Sequence, residues 1–167
     1  LTGVGKGFGR SLLDYFAKDA NCEILGITRN MDDFSIAERR TYKNCGVFFY
    51  EADLSNEAGM KDTINNNELF FKKADALINN AGQRFRCELG NLIYEDVQEL
   101  FRVNVYTPLF FAKAVVQGMR KRGFGRIVNI SSILGSRGLE DLSVYAASKG
   151  AIDSMTRSLA VEFASDG

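Results

Sequence analysis

Apolar positions along this chain fall into short unbroken runs and longer spaced ones, and the two kinds predict different elements. Residues 23–28, 47–51, 76–78 and 126–130 are short, largely apolar runs bounded by polar or glycine positions, the pattern of strands. Apolar residues at three-and-four spacing predict helices over 8–18, from the cap candidate Ser55 onward, and over 95–103, 107–120 and 142–165. Residues 32–43 are too polar to choose between helix and loop. The strand runs do not alternate, so both faces of their sheet are buried. Strands of that kind separated by helices specify an α/β fold with a parallel sheet. The sole proline, Pro108, stands just inside the start of its helix, where the missing donor costs little. No repeat or linker interrupts the rhythm, and one domain over 1–167 is expected.

Composition narrows the function classes. The 167 residues are 46% hydrophobic and 25% charged, with 21 basic and 21 acidic side chains, which suits one domain with a real core. Neutral balance argues against nucleic acid as a partner, and the basic run Arg120, Lys121, Arg122, Arg126 suits a helix C-terminus. No apolar stretch is long enough to span a membrane. Cys22, Cys45 and Cys87 lack CxxC spacing and fit reduced thiols in a cytoplasm. With no histidine and no cysteine pair, no metal site is expected. Residue 1 is leucine, in mid-motif, and the chain stops just past a helix, so a piece of a longer domain is expected.

Candidate chemistry centres on Tyr145 and Lys149. On a helix they stand one turn apart on one face. A phenol titrates near ~10 in water, and a neighbouring ammonium favours the phenolate, which makes such a pair a proton-transfer device. The same spacing also occurs in plain solvated pairs. At the other end of the chain, Thr2-Gly3-Val4-Gly5-Lys6-Gly7-Phe8-Gly9 precedes a helix, so backbone N–H groups are able to approach a pyrophosphate without Cβ obstruction. Neither a Walker loop nor strict G-x-G-x-x-G is present, because Lys6 is followed by Gly7 and Phe8 takes the last glycine position. The spacing that fits is T-G-x-x-x-G-x-G.

Taken in order, these residues resemble the short-chain dehydrogenase/reductases. The likeness rests on the glycine loop 2–9, Asp53 after strand 47–51 and Asn79-Asn80-Ala81-Gly82 after strand 76–78. It continues through Asn104 in a helix, Ser132 after Ile127–Ser131, and Tyr145 with Lys149. It implies a Rossmann-like doubly wound parallel sheet, truncated at both ends with its first and last strands missing, in a single NAD(P)-binding domain. It also implies roles. Tyr145 moves a proton at the substrate oxygen, Ser132 donates to that oxygen, and Lys149 serves both Tyr145 and the nicotinamide ribose. Asn104 holds a water behind the lysine or, alternatively, has only a structural use in a helix bend. Gly3, Gly7 and Gly9 serve the pyrophosphate, Asp53 contacts the adenine, Asn80, Ala81 and Gly82 line the adenosine side of the cleft, and Thr2, Lys6, Phe8 and Leu54 count among the cofactor-binding residues.

No carboxylate ends strand 23–28, which closes with Thr28-Arg29. Arg29 and Lys6 therefore favour NADP(H) over NAD(H), through a 2′-phosphate. The expected activity is hydride transfer between nicotinamide and a small carbonyl or alcohol substrate, and the context of Tyr145 and Ser132 is similar to the 3-oxoacyl-carrier-protein reductase branch. The alternative is a non-catalytic NADP-binding sensor or scaffold. Apolar residues around much of helix 107–120, and Ile152, Met155, Leu159 and Phe163 on the last helix, match the surfaces that family members pair, so a homodimer or homotetramer is expected.

Overall fold

The computed structural model describes residues 1–19 and 21–167. After the glycine loop come α1 (Gly7–Phe16), β1 (Ile24–Thr28), a 3-10 turn over Met31–Asp33, α2 (Ile36–Asn44) and β2 (Val47–Glu51). The next elements are α3 (Glu57–Asn66), α4 (Glu68–Lys73), β3 (Ala76–Asn79) and α5 (Tyr94–Phe101), then α6 (Thr107–Arg122), β4 (Arg126–Asn129) and α7 (Ser143–Glu162).

The strands form two parallel pairs. β1 lies beside β2 in the register Ile24↔Val47 to Thr28↔Glu51, and β3 beside β4 in the register Ala76↔Arg126 to Asn79↔Asn129. The first residues of the chain join the pairs. Ile27 N donates to Leu1 O at 2.9 Å, Gly3 N to Ile27 O at 2.8 Å and Thr2 N to Ile78 O at 3.0 Å. Thr2 therefore lies between β1 and β3, and it forms a parallel bridge with Ile27. Toward the start of these strands a cleft of about 520 Å³ separates the same two edges, lined by Leu25, Phe71, Leu77 and Val115 among others.

Each sheet face carries its own core, the doubly wound arrangement the sequence implies. On one side Ile27, Leu54 and Leu77 pack with Met60 of α3, Phe71 of α4 and Phe111, Val115 and Met119 of α6. On the other, Val4, Leu13, Phe34 and Val47 are packed with Tyr42 and Phe49.

One local expectation left open is resolved and two change. Residues 32–43 resolve into a turn and a helix, because Ser35 and Glu38 close a capping box: Ser35 Oγ accepts from Glu38 N at 3.2 Å, and the Glu38 carboxylate accepts from Ser35 N at 2.8 Å. The cap of α3 is Asn56, whose Oδ1 accepts from Gly59 N at 2.7 Å. Ser55 is drawn into the preceding turn, its N–H donating to Asp53 Oδ1 at 2.9 Å. Finally, α5 and α6 are not separate helices. A five-residue π-helical segment, Arg102–Tyr106, links them, and Asn104 lies within it.

Candidate active site

The glycine loop and the segment after β3 are joined through Thr2 and Asn80. Thr2 is 2% exposed, and its Oγ1 accepts from Asn80 N at 3.0 Å and Ala81 N at 2.8 Å. Asn80 Nδ2 donates in return to Thr2 O at 3.0 Å and Gly3 O at 3.2 Å. The contact is close enough to demand glycine on both sides: a Cβ at Gly3 would lie 2.9 Å from Ala81 Cα, and one at Gly9 would meet Gly3 O and Asn80 Nδ2.

At the head of α1 the chain stands open. Gly7 has φ +57 with nothing within 4 Å of a built Cβ, so its need is for the left-handed backbone alone. Lys6 caps the helix with no side-chain hydrogen bond, which leaves the first-turn N–H groups available, and Phe8 is 59% exposed. Free helix N–H groups beside an exposed lysine and no carboxylate in the first turn fit the pyrophosphate of a dinucleotide.

The same segment leads from the loop to the catalytic candidates. A Cβ on Gly82 would lie 3.5 Å from Asn104 Oδ1 and 3.6 Å from Lys149 Nζ, ordinary contact distances. Lys149 is 6% exposed, and its Nζ donates to Ile130 O at 2.8 Å, at the end of β4. Burial lowers the Lys149 ammonium from its ordinary value, with Asp153 one turn along α7 opposing. Tyr145 is half-buried, its ring centroid 5.9 Å from Lys149 Nζ.

Ser132 stands at the mouth of the loop between β4 and α7. Its backbone is extended, and its Oγ accepts from Leu134 N at 3.2 Å. The loop is held to α7 beside Lys149: Ser131 Oγ donates to Lys149 O at 3.5 Å, and a Cβ on Gly135 would press on Lys149 O at 3.2 Å. Ser132, Lys149 and the Gly82 segment thus converge at the C-terminal ends of β3 and β4, where open parallel sheets bind ligands.

Asn104 lies in the π-helical segment, at the centre of a buried hydrogen-bond network. It is 1% exposed, and its amide is committed to protein on both sides. Oδ1 accepts from Gln83 N at 2.8 Å, while Nδ2 donates to Gln83 O at 2.9 Å and Ser148 Oγ at 3.0 Å. Ser148 Oγ donates to Tyr145 O at 2.8 Å, so the network ends on the backbone of the tyrosine itself. Gln83 extends it outward, donating to Glu99 at 2.7 Å. Sequence reasoning missed Gln83 and Ser148. Their one signal was position, Gln83 directly after Gly82 and Ser148 directly before Lys149.

The residues expected to meet adenosine stand at the ends of β1 and β2. Thr28 is buried, its Oγ1 donating to Asn30 O at 3.2 Å, and Arg29 is exposed. Asp53 is held below its ordinary range first by the backbone N–H of Ser55, with the Arg29 guanidinium contributing. The Leu54 side chain belongs to the core at 7% exposure, and its carbonyl accepts from Thr107 Oγ1, at the start of α6, at 3.4 Å. Among the described residues no cluster of histidine, cysteine, aspartate or glutamate suits a metal, and no helix is long and apolar enough to cross a membrane.

Comparison with known proteins gives this geometry a relationship. The chain is 33% identical to a D-xylose 1-dehydrogenase from Caulobacter vibrioides over 99% of its length, and spans 65% of that protein. It is 30% identical to a 3-oxoacyl-acyl-carrier-protein reductase from Chlamydia pneumoniae, covering 98% of this chain and 66% of the other. A solved gluconate 5-dehydrogenase from Burkholderia cenocepacia, in complex with NADP and tartrate, superposes with a TM-score of 0.84 at 30% identity, over 99% of this chain and 65% of its own. The chain therefore spans just under two thirds of the length of these relatives. The family described as short chain dehydrogenase matches residues 1–167 throughout, and the chain belongs to it.

Proposed function

We propose that this chain carries the cofactor loop and the catalytic residues of an NADP-dependent oxidoreductase that interconverts a small carbonyl compound and its secondary alcohol. Lys149 carries the reading. Its ammonium is buried against the Ile130 carbonyl, in reach of Gly82 on the cofactor side and beside the Tyr145 ring on the substrate side. A buried cation is expensive unless its surroundings use it.

The nicotinamide cofactor supplies or accepts the hydride. Everything else falls to the chain's own residues. In the reducing direction Tyr145 Oη gives its proton to the carbonyl oxygen, and Ser132 Oγ donates a hydrogen bond to that oxygen as charge develops. Lys149 places a positive charge beside the phenol and would donate to the ribose of a bound nicotinamide cofactor. Asn104 acts by position, tying the π-helical segment to Gln83 and, through Ser148, to the tyrosine backbone. Gly3, Gly7 and Gly9, with Lys6 and Phe8 at the head of α1, would hold the pyrophosphate, while Thr2 shapes the loop through Asn80 and Ala81. Thr28 and Arg29 would meet the adenosine ribose and Asp53 the adenine, with Leu54 beside it fixed in the core, and Asn80, Ala81 and Gly82 would line the adenosine side of the cleft.

The preference for NADP(H) rests on Arg29 and Lys6 and on the absence of a carboxylate at Thr28. A homodimer or homotetramer suits the uncovered apolar residues of α6, Leu109 and Phe110, which are 40% and 42% exposed. Three unpaired thiols suit the reducing cytoplasm.

A non-catalytic dinucleotide-binding protein is the second reading, and retention of Ser132, Tyr145 and Lys149 together favours catalysis over it. Consumption of NADPH by the intact protein, followed at 340 nm across a panel of sugars, ketones and 3-oxoacyl thioesters, separates the two. Turnover on one of these classes is expected. Tight NADPH binding with no turnover on any carbonyl or alcohol would favour the scaffold.

A further inference from the structure

Gly5, midway along the glycine loop, faces a carboxylate that the sequence motifs do not explain. A Cβ built on Gly5 would run into Asp33 Oδ2, with Thr28 Oγ1 at 2.9 Å and Asp33 Cγ at 3.0 Å. Asp33 therefore fills the space over the loop that a side chain at position 5 would otherwise take.

Its placement is fixed by neighbours rather than by its own side chain. Asn30 Oδ1 accepts from Asp32 N at 2.8 Å, which starts the 3-10 turn, and Asp33 N donates to Asn30 O at 3.4 Å. From α1, Arg10 Nη1 donates to Asp33 O at 3.3 Å while its guanidinium lies 4.1 Å from the ring of Phe34, itself 1% exposed. The Asp33 carboxylate, by contrast, takes no hydrogen bond and no ion pair among the described residues, whereas Asp32 faces Arg39 at 3.7 Å. A negative group that the fold does not use is thus held against the loop, next to the strand end that presents Thr28 and Arg29.

We propose that Asp33 determines how sharply the site separates NADP(H) from NAD(H), opposing the 2′-phosphate that Lys6 and Arg29 attract and accepting hydrogen bonds from free ribose hydroxyls. This rests on the nicotinamide reading above. It supplies, five residues beyond the strand end, the carboxylate that Thr28 lacks. The preference for NADP(H) is then a balance of two cations against one anion, and NAD(H) remains usable. One unit charge a few ångströms from a 2′-phosphate in a solvated cleft is enough to shift affinity by about tenfold.

The test is binding, independent of turnover. Dissociation constants for NADPH and NADH are measured by nicotinamide fluorescence on the intact protein and on Asp33→Asn, with adenosine 2′,5′-bisphosphate and AMP as competing probes. Asp33→Asn is expected to tighten NADPH and the bisphosphate by about tenfold relative to NADH and AMP, and added salt should shrink that gain. Gly5→Ala displaces the carboxylate from the opposite side and should move the ratio the same way. Position 5 has no left-handed backbone to forbid it, and it decides the matter if Asp33→Asn fails to fold. An unchanged ratio in the folded variants would overturn the role of Asp33 and leave the cofactor reading standing. Failure of the unmodified protein to bind either dinucleotide would overturn both.

Discussion

Lys149 is the side chain on which most of the site depends. It touches the end of β4 through Ile130, approaches Gly82 from the cofactor side, and stands one helical turn from Tyr145. Burial lowers its ammonium and Asp153 partly restores it. Met keeps the aliphatic stem and its packing but removes the charge and the donor. Lys149→Met is accordingly expected to lower kcat by about 10²–10⁴ and to weaken NADPH binding as well, read by steady-state kinetics beside a fluorescence titration. A loss of kcat with unchanged cofactor affinity would remove the ribose role. The pairing of Tyr145 with Lys149 was legible in the sequence because one turn of helix fixes it. Contacts that only folding creates were not, as with Asp33 over Gly5 or Asn104 clasping Gln83 and Ser148, since no periodicity relates those positions.

At the scale of elements, α2 shows what a polar segment needs in order to become a helix. Its apolar face is poor, and none of its residues is fully buried. Ser35 and Glu38 start it reciprocally, and Glu38 also meets Arg10 on α1. Hydrogen bonds from the Ser35 side chain and backbone, then from Arg10, hold the Glu38 carboxyl down to about 2 from 4.5. Between those values the unfolded chain binds the proton that the folded chain refuses. The contribution is present above about pH 4.5 and is lost as pH falls toward 2. Glu38→Gln keeps the box geometry without the titration. Urea unfolding at neutral pH and near pH 3 should therefore show a smaller acid-induced loss of stability in the variant than in the unsubstituted protein; equal losses would contradict the assignment. The Ser-x-x-Glu signature was in the sequence and settles what hydrophobic spacing left undecided. The π-helical link between α5 and α6 left no mark in the hydrophobic spacing, and its one hint was the helix bend that the resemblance allowed at Asn104.

Across the whole molecule, the strand runs were legible as a parallel α/β sheet because unbroken apolar runs need cover on both faces. Their spatial order was not, since periodicity says nothing about which strand lies beside which. The two core clusters and the bridge at Thr2 provide that order, and with it they bring residues 2–9, 80–83, 130–132 and 145–149 to one end of the sheet. The central claim is that this end is a proton- and hydride-transfer site rather than a dinucleotide-binding surface alone. Tyr145→Phe tests it most directly, because it keeps the ring and its packing and removes one proton. Turnover and NADPH affinity should be measured together on the intact protein and on this variant. The account expects turnover to fall by about 10²–10⁴ while NADPH binds almost as before; turnover near that of the unsubstituted protein would contradict it.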